Sequence, residues 1–185
     1  MQMDESTSGS RSWILAALLL ALVGCNPDSP KGQKDGNAPA AELPAGVLLT
    51  EAPKGAAAVT DLKKTAKEGD EVVLRVVIGG RVKPFVEKRA VMTVVDASFE
   101  NACTKPDDAC PTKWDYCCAS PEALQANSAT LQIVDDKGQP LAIDLNGVAK
   151  LKPLSVIVVK GKVGPRPDPG TLLVSAASLF VESNP

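Results

Sequence analysis

Stretches rich in β-branched residues recur along the second half of this chain and most constrain its fold. Such residues favour strands because their side chains suit a pleated, half-buried surface. Aromatic residues make up only 3% of the chain, so a core must be built from valine, leucine, isoleucine and alanine. Strands are predicted at 71–82, 90–96, 129–135, 155–163 and 171–181, with a shorter one at 141–145. The sequence therefore predicts a mainly β domain.

Turns and short helices separate these strands. Asp136-Lys137-Gly138 has the composition of a tight turn, and 146–154 suits a helical turn. A short helix is predicted at 60–67, with Thr60 or Asp61 as its N-cap and Gly69 ending it. We therefore expect one or two short helices beside the sheet.

The order of the elements resembles the OB-fold, a small five-stranded Greek-key barrel. Three strands, a short helical connection and two further strands extend over 71–182. Gly79 and Gly80 lie inside the first predicted strand, where paired glycines suggest a bulge or a sharp coil. The resemblance implies a barrel that carries the segment 97–128 as an insert between strands 2 and 3.

An uncharged apolar run of eleven residues, 13–23, follows Arg11 near the start of the chain. A helix needs about 20 apolar residues to cross a bilayer, so this run has the length of a signal-peptide core. The sequence Leu22-Val23-Gly24-Cys25 comes directly after it and resembles the lipobox of bacterial lipoproteins. That resemblance implies lipidation of Cys25 and a place in the cell envelope, anchored to a membrane and facing the periplasm or the exterior. An ordinary secretory signal or an uncleaved anchor are the alternatives.

The chain is thus divided into three parts. Residues 1–24 are predicted to be a signal peptide, and 59–185 the barrel domain. Between them, 25–58 contains the lipidated cysteine and a segment rich in proline, glycine and alanine, which we expect to be a flexible tether. Docking of its brief apolar run, 46–49, on the domain is the alternative.

The insert contains four cysteines in the pattern C-x6-C-x6-C-C: Cys103, Cys110, Cys117 and Cys118. Two disulfides are the favoured interpretation, because an exported domain lies in an oxidising compartment and the count is even. The connectivity is open, although a bond between the adjacent cysteines requires a strained geometry. The run PTKWDYCC looks like one found in exported bacterial proteins, but that likeness implies no activity.

A metal site and a thiol-redox role are the alternatives for these cysteines. Zinc requires four ligands that converge on one tetrahedron, whereas adjacent side chains on extended backbone point in opposite directions. Asp107, Asp108 and Asp115 offer oxygen ligands, but without the spacing of a calcium loop. The sequence analysis therefore assigns no metal and no cofactor.

Five residues are candidates for contact with a ligand. Trp114 and Tyr116 stand two positions apart in the insert, where they either form a recognition patch or pack against the barrel. Arg81, Lys83 and Phe85 lie in the connection between the first two strands, which borders the usual ligand face of an OB-fold. A solvated loop is the alternative interpretation of these three.

Composition narrows the classes of function. The chain has no histidine and matches no hydrolase, phosphate-binding or dinucleotide-binding motif, so we predict no catalytic residue. Its formal charge of −2 gives it no general attraction for nucleic acid. The sequence favours a non-enzymatic binding module for an envelope protein or saccharide, tethered to a membrane. The alternative is a cysteine-dependent metal-binding or thiol-redox protein.

Overall fold

A computed structural model describes residues 42–105 and 109–185. Its five strands form a closed barrel in the order β1-β2-β3-β5-β4, and β4 pairs with β1. Neighbouring strands are antiparallel, except that β3 and β5 run parallel. The strands are β1 (Glu71–Ile78), β2 (Val91–Asp96), β3 (Ser128–Gln132), β4 (Val156–Val163) and β5 (Leu173–Ser183). The predicted mainly β, five-stranded barrel is confirmed, with the cysteines between β2 and β3.

The core of the barrel is aliphatic, as the composition predicts. Alternate residues of β1 point inward, because successive side chains of a strand lie on opposite faces. Val72, Leu74, Val76 and Ile78 are buried, while the residues between them are exposed or half-buried. Each buried aliphatic side chain contributes roughly 1.5–3 kcal/mol relative to an exposed one.

Helix α1 (Val59–Thr65) is fixed at both ends by residues distant in sequence. Its N-cap is Ala58, which offers no side-chain acceptor. The backbone N–H of Val59 instead donates to Oδ2 of Asp96, at the end of β2, over 2.7 Å. At the other end, the guanidinium of Arg166 donates to three backbone carbonyls of 62–66. The predicted caps were therefore wrong, because tertiary contacts supply the missing partners.

Several predicted boundaries also differ. Strand β1 ends at Ile78, so Gly79 and Gly80 follow the strand rather than interrupt it. The turn at 136–138 is present, but 141–145 is no strand, and only an isolated bridge joins Val134 to Pro140. The helical turn predicted in 146–154 is a 3-10 helix, Val148–Lys150. Helix α2 (Pro121–Asn127), inside the insert, was not predicted.

The packed part of the chain begins before Val59. Val47 is buried in the core, and its carbonyl accepts from the N–H of Leu179 over 2.7 Å. The N–H of Ala57 donates to the carbonyl of Val73 on β1. Val47 and Ala57 are therefore attached to the barrel, within the segment predicted to be a tether, and Cys25 lies outside the described residues. Within 42–105 and 109–185, no helix is long and apolar enough to cross a membrane.

Candidate metal centre

The sulfur of Cys117 lies close to the sulfurs of the other three cysteines of the insert. Sγ of Cys117 lies 3.4 Å from Sγ of Cys110, 3.5 Å from that of Cys103 and 3.9 Å from that of Cys118. A disulfide needs a separation of about 2.05 Å, and no disulfide joins these four described cysteines. Four sulfurs that surround a zinc ion at about 2.3 Å are separated by about 3.8 Å. The three distances from Cys117 are within about 0.4 Å of three of the six edges of a metal tetrathiolate.

A tight turn aims the adjacent cysteines in the same direction. Cys117 and Cys118 are the central residues of the turn in which the N–H of Ala119 donates to the carbonyl of Tyr116. Tyr116 itself is left-handed, with φ of 59°. The expectation that the two side chains point apart was wrong, because it assumed extended backbone.

Asn101 joins the two segments that supply the remaining sulfurs. Its side-chain oxygen accepts from the N–H of Cys103 over 3.0 Å and caps the 3-10 helix Ala102–Thr104. Its Nδ2 donates to the carbonyl of Lys113 over 2.7 Å, in the 3-10 helix Lys113–Asp115. Sequence reasoning missed this residue, although an asparagine two positions before a cysteine is a typical signal of such a local turn.

Asp115 organises the turn and lies beside the sulfurs. Its Oδ1 accepts from the N–H of Cys117 over 2.9 Å, and its Oδ2 accepts from the hydroxyl of Thr112 over 2.7 Å. The hydrogen bond from Thr112 is the main cause that lowers the pKa of this carboxyl. One carboxylate oxygen also lies within 4.8 Å of the sulfurs of Cys103, Cys110 and Cys117. Asp115 therefore supports the turn and also lies within reach of an ion shared by Cys103, Cys110 and Cys117. Asp107 and Asp108 lie outside the described residues.

The pKa values of Cys103 and Cys117 are shifted in opposite directions. Burial opposes ionisation of Cys103, but hydrogen bonds from Cys118, Cys117 and Cys110 outweigh it and lower the pKa of this thiol. The pKa of Cys117 is raised, chiefly because its thiol is held in hydrogen bonds with Cys110 and Cys103. Cys103 is fully buried, whereas Cys117 and Cys118 are exposed, so the site opens to solvent on one side.

The insert is attached to the barrel next to these cysteines. The carbonyl of Trp114 accepts from the N–H of Gly80 over 2.7 Å, and the indole Nε1 of Trp114 donates to the carbonyl of Val82 over 3.0 Å. A Cβ on Gly79 would lie only 2.4 Å from the same Trp114 carbonyl. The paired glycines therefore allow the insert backbone to approach the end of β1, a role different from the predicted bulge.

The predicted ligand-contact residues separate into three places. Tyr116 is buried, with its ring stacked on Phe99 at a centroid distance of 5.9 Å, and burial raises its pKa to about 12. This is the packing alternative rather than a recognition patch. Lys83, Phe85 and half-buried Trp114 line one shallow groove of about 280 Å³. Arg81 lines a different cleft.

The chain matches no protein-family model, no curated protein and no solved structure. The chemistry of the site must therefore be argued from its own geometry.

Proposed function

We propose that this protein is a non-enzymatic binding module whose cysteine-rich insert is organised by one metal ion, zinc, held by Cys103, Cys110, Cys117 and Cys118. The observation that carries the proposal is that one sulfur, that of Cys117, stands at 3.4–3.9 Å from the other three. In two disulfides each sulfur has one close partner. At a shared centre one sulfur has three close sulfur neighbours, as Cys117 has here.

The donor set favours a soft or borderline cation. Thiolates select zinc, copper(I) and iron–sulfur centres, whereas calcium and magnesium prefer oxygen ligands. Zinc suits four separate thiolates in tetrahedral arrangement, and a site with four protein ligands leaves no open coordination position. Such a closed site stabilises structure instead of activating water, in agreement with a chain that lacks histidine.

The local structure supplies further support. The insert buries few apolar side chains, chiefly Cys103 and Tyr116 among its described residues. A segment with so little core of its own needs a cross-link to remain ordered. Zinc binding provides such a cross-link and contributes directly to folding.

Metal analysis of the full chain, purified without reductant or chelator, tests the proposal. We expect one zinc per chain and four cysteines of the insert that a thiol reagent modifies only after the metal is removed. Cys117→Ser should lose the metal, whereas Cys25→Ser, the same change outside the cluster, should retain it. A metal-free chain with no modifiable thiol would contradict the zinc site and favour two disulfides. Stoichiometric copper would contradict the choice of zinc.

We also propose that Cys25 is lipidated and tethers the module to a membrane at the cell envelope. The support is the eleven-residue apolar run and the lipobox-like Leu22-Val23-Gly24-Cys25. Cells grown with labelled palmitate should label the wild-type protein and Cys110→Ser, but not Cys25→Ser. Label retained by Cys25→Ser would refute this assignment and leave the metal site untouched.

A further inference from the structure

A polar cleft of about 490 Å³ lies on the side of the barrel next to the insert. This volume is within the range of small-molecule sites. Hydroxyl groups from two strands and one loop line it, together with the side-chain amide of Gln125. The hydroxyl residues are Thr93 on β2, Ser128 and Thr130 on β3, and Thr171 in the loop before β5.

Two cations line this cleft, Lys63 of α1 and Arg81, and none of its lining residues is acidic. The ammonium of Lys63 donates to the carbonyl of Gln125, and the carboxylate of Asp168 accepts from the hydroxyl of the lining residue Thr171. Burial lowers the pKa of Lys63, and the nearby guanidinium of Arg166 lowers it further, against the opposing effect of Asp168. An anion placed beside Lys63 would offset this desolvation and the repulsion from Arg166.

Two walls of the cleft are attached to the cysteine cluster. Gly80 and Arg81 belong to the segment that Trp114 holds, through its carbonyl on the N–H of Gly80 and its indole on the carbonyl of Val82. Trp114 itself lies between Cys110 and Cys117 in the sequence. Helix α2, which also lines the cleft, begins three residues after Cys118.

We propose that this cleft binds an acidic saccharide, with its anionic group at Arg81 and Lys63 and its hydroxyl groups on the threonine, serine and glutamine side chains. Arginine and lysine form strong charge-assisted hydrogen bonds to carboxylate or sulfate groups. Neutral hydroxyls and amides both donate and accept, as sugar hydroxyls do. The dependence of this binding on metal rests on the proposed zinc site, because the ion fixes the loop that contains Trp114.

Calorimetric titration of the full, zinc-loaded chain tests the ligand class. The probes are a glucuronic-acid disaccharide, a sulfated disaccharide, a neutral glucose disaccharide and inorganic sulfate. We expect at least one acidic disaccharide to bind about tenfold tighter than the neutral disaccharide, since a charge-assisted hydrogen bond contributes about 1.5–3 kcal/mol. It should also bind tighter than inorganic sulfate, which has no sugar hydroxyls for the threonine, serine and glutamine side chains. Which acidic disaccharide binds tighter identifies the anionic group. No binding, or equal binding of the neutral sugar or of inorganic sulfate, would overturn the proposal.

Variants locate the binding and separate it from the metal site. Arg81→Gln should weaken the acidic disaccharide about tenfold, whereas Lys162→Gln, an exposed cation on β4 outside the cleft, should not change its affinity. Unchanged binding by Arg81→Gln would overturn the placement. Removal of zinc by a chelator should also weaken the disaccharide. If the chain holds no zinc and Arg81→Gln still weakens binding, the cleft stands and the proposed metal function fails.

Discussion

Replacement of Asn101 by alanine should weaken metal binding although the residue is no ligand. The change removes the cap on the N–H of Cys103, at 3.0 Å, and the bond to the carbonyl of Lys113, at 2.7 Å. Each hydrogen bond contributes about 1 kcal/mol, so the loss of both costs about 2 kcal/mol. If the two hydrogen bonds form only in the metal-bound insert, their whole loss lowers the affinity for metal. A difference of about 2 kcal/mol corresponds to a dissociation constant raised about thirtyfold. In other metalloproteins, mutation of residues that hydrogen-bond to metal ligands lowers metal affinity or activity 10–100-fold, a range that includes this value.

Competition between the protein and a chromophoric chelator of known zinc affinity measures the effect. Asn101→Asp is the informative control, because it keeps an acceptor for the N–H of Cys103 and loses only the donor to Lys113. We expect its affinity to fall by about fivefold, as the loss of one bond predicts. A dissociation constant for Asn101→Ala within twofold of wild type would refute the reasoning that Asn101 positions the sulfurs.

Three further perturbations test the fold and its attachment to the insert. Asp96→Ala leaves the N–H of Val59 without its acceptor, and urea unfolding should show a loss of about 2–3 kcal/mol, more than for Asp96→Asn. The hydrogen bond from Arg75 lowers the pKa of Glu182, so the pair stabilises above the ordinary glutamate pKa and the stabilisation disappears as pH falls through the lowered value. Because both side chains are partly exposed, Glu182→Gln should cost at most about 1 kcal/mol in urea unfolding at neutral pH and nothing at pH well below 4. Gly79→Ala should push back the insert, which limited proteolysis will detect as faster cleavage within 97–128, because its Cβ has only 2.4 Å to the nearest oxygen.

The sequence was sufficient to predict the barrel because its strands have a strong local signature. The predicted strands that contain Leu74, Leu131 and Val158 are all present as strands in the structure. Where the prediction failed, a tertiary contact decided the outcome. Helix α1 begins at Val59 because Asp96 accepts its first N–H, and a residue 37 positions away leaves no trace in local sequence. The end of β1 at Ile78 likewise depends on the approach of Trp114 to the following glycines.

The candidate site was predictable in its residues and not in its chemistry. Spacing identified the four cysteines, but the 3.9 Å between the sulfurs of Cys117 and Cys118 depends on the turn in which the N–H of Ala119 donates to the carbonyl of Tyr116. Nothing in the local sequence predicts that turn. The cleft was not predicted from the sequence, because the cations that line it, Lys63 of α1 and Arg81 after β1, are distant in sequence.

The choice between zinc and two disulfides has a consequence for the whole module. A disulfide, once formed in an oxidising compartment, holds its two residues permanently. A metal centre is reversible, and its occupancy depends on the concentration of the ion. Because the free energy of metal binding also stabilises the folded insert, loss of the ion should destabilise the insert. The backbone of Trp114 connects that centre to Gly80 beside Arg81, at a separation of 2.7 Å. If zinc is the cross-link, the wall of the cleft is therefore ordered only when metal is bound, and metal and saccharide should each strengthen the binding of the other, because coupling between two sites is reciprocal.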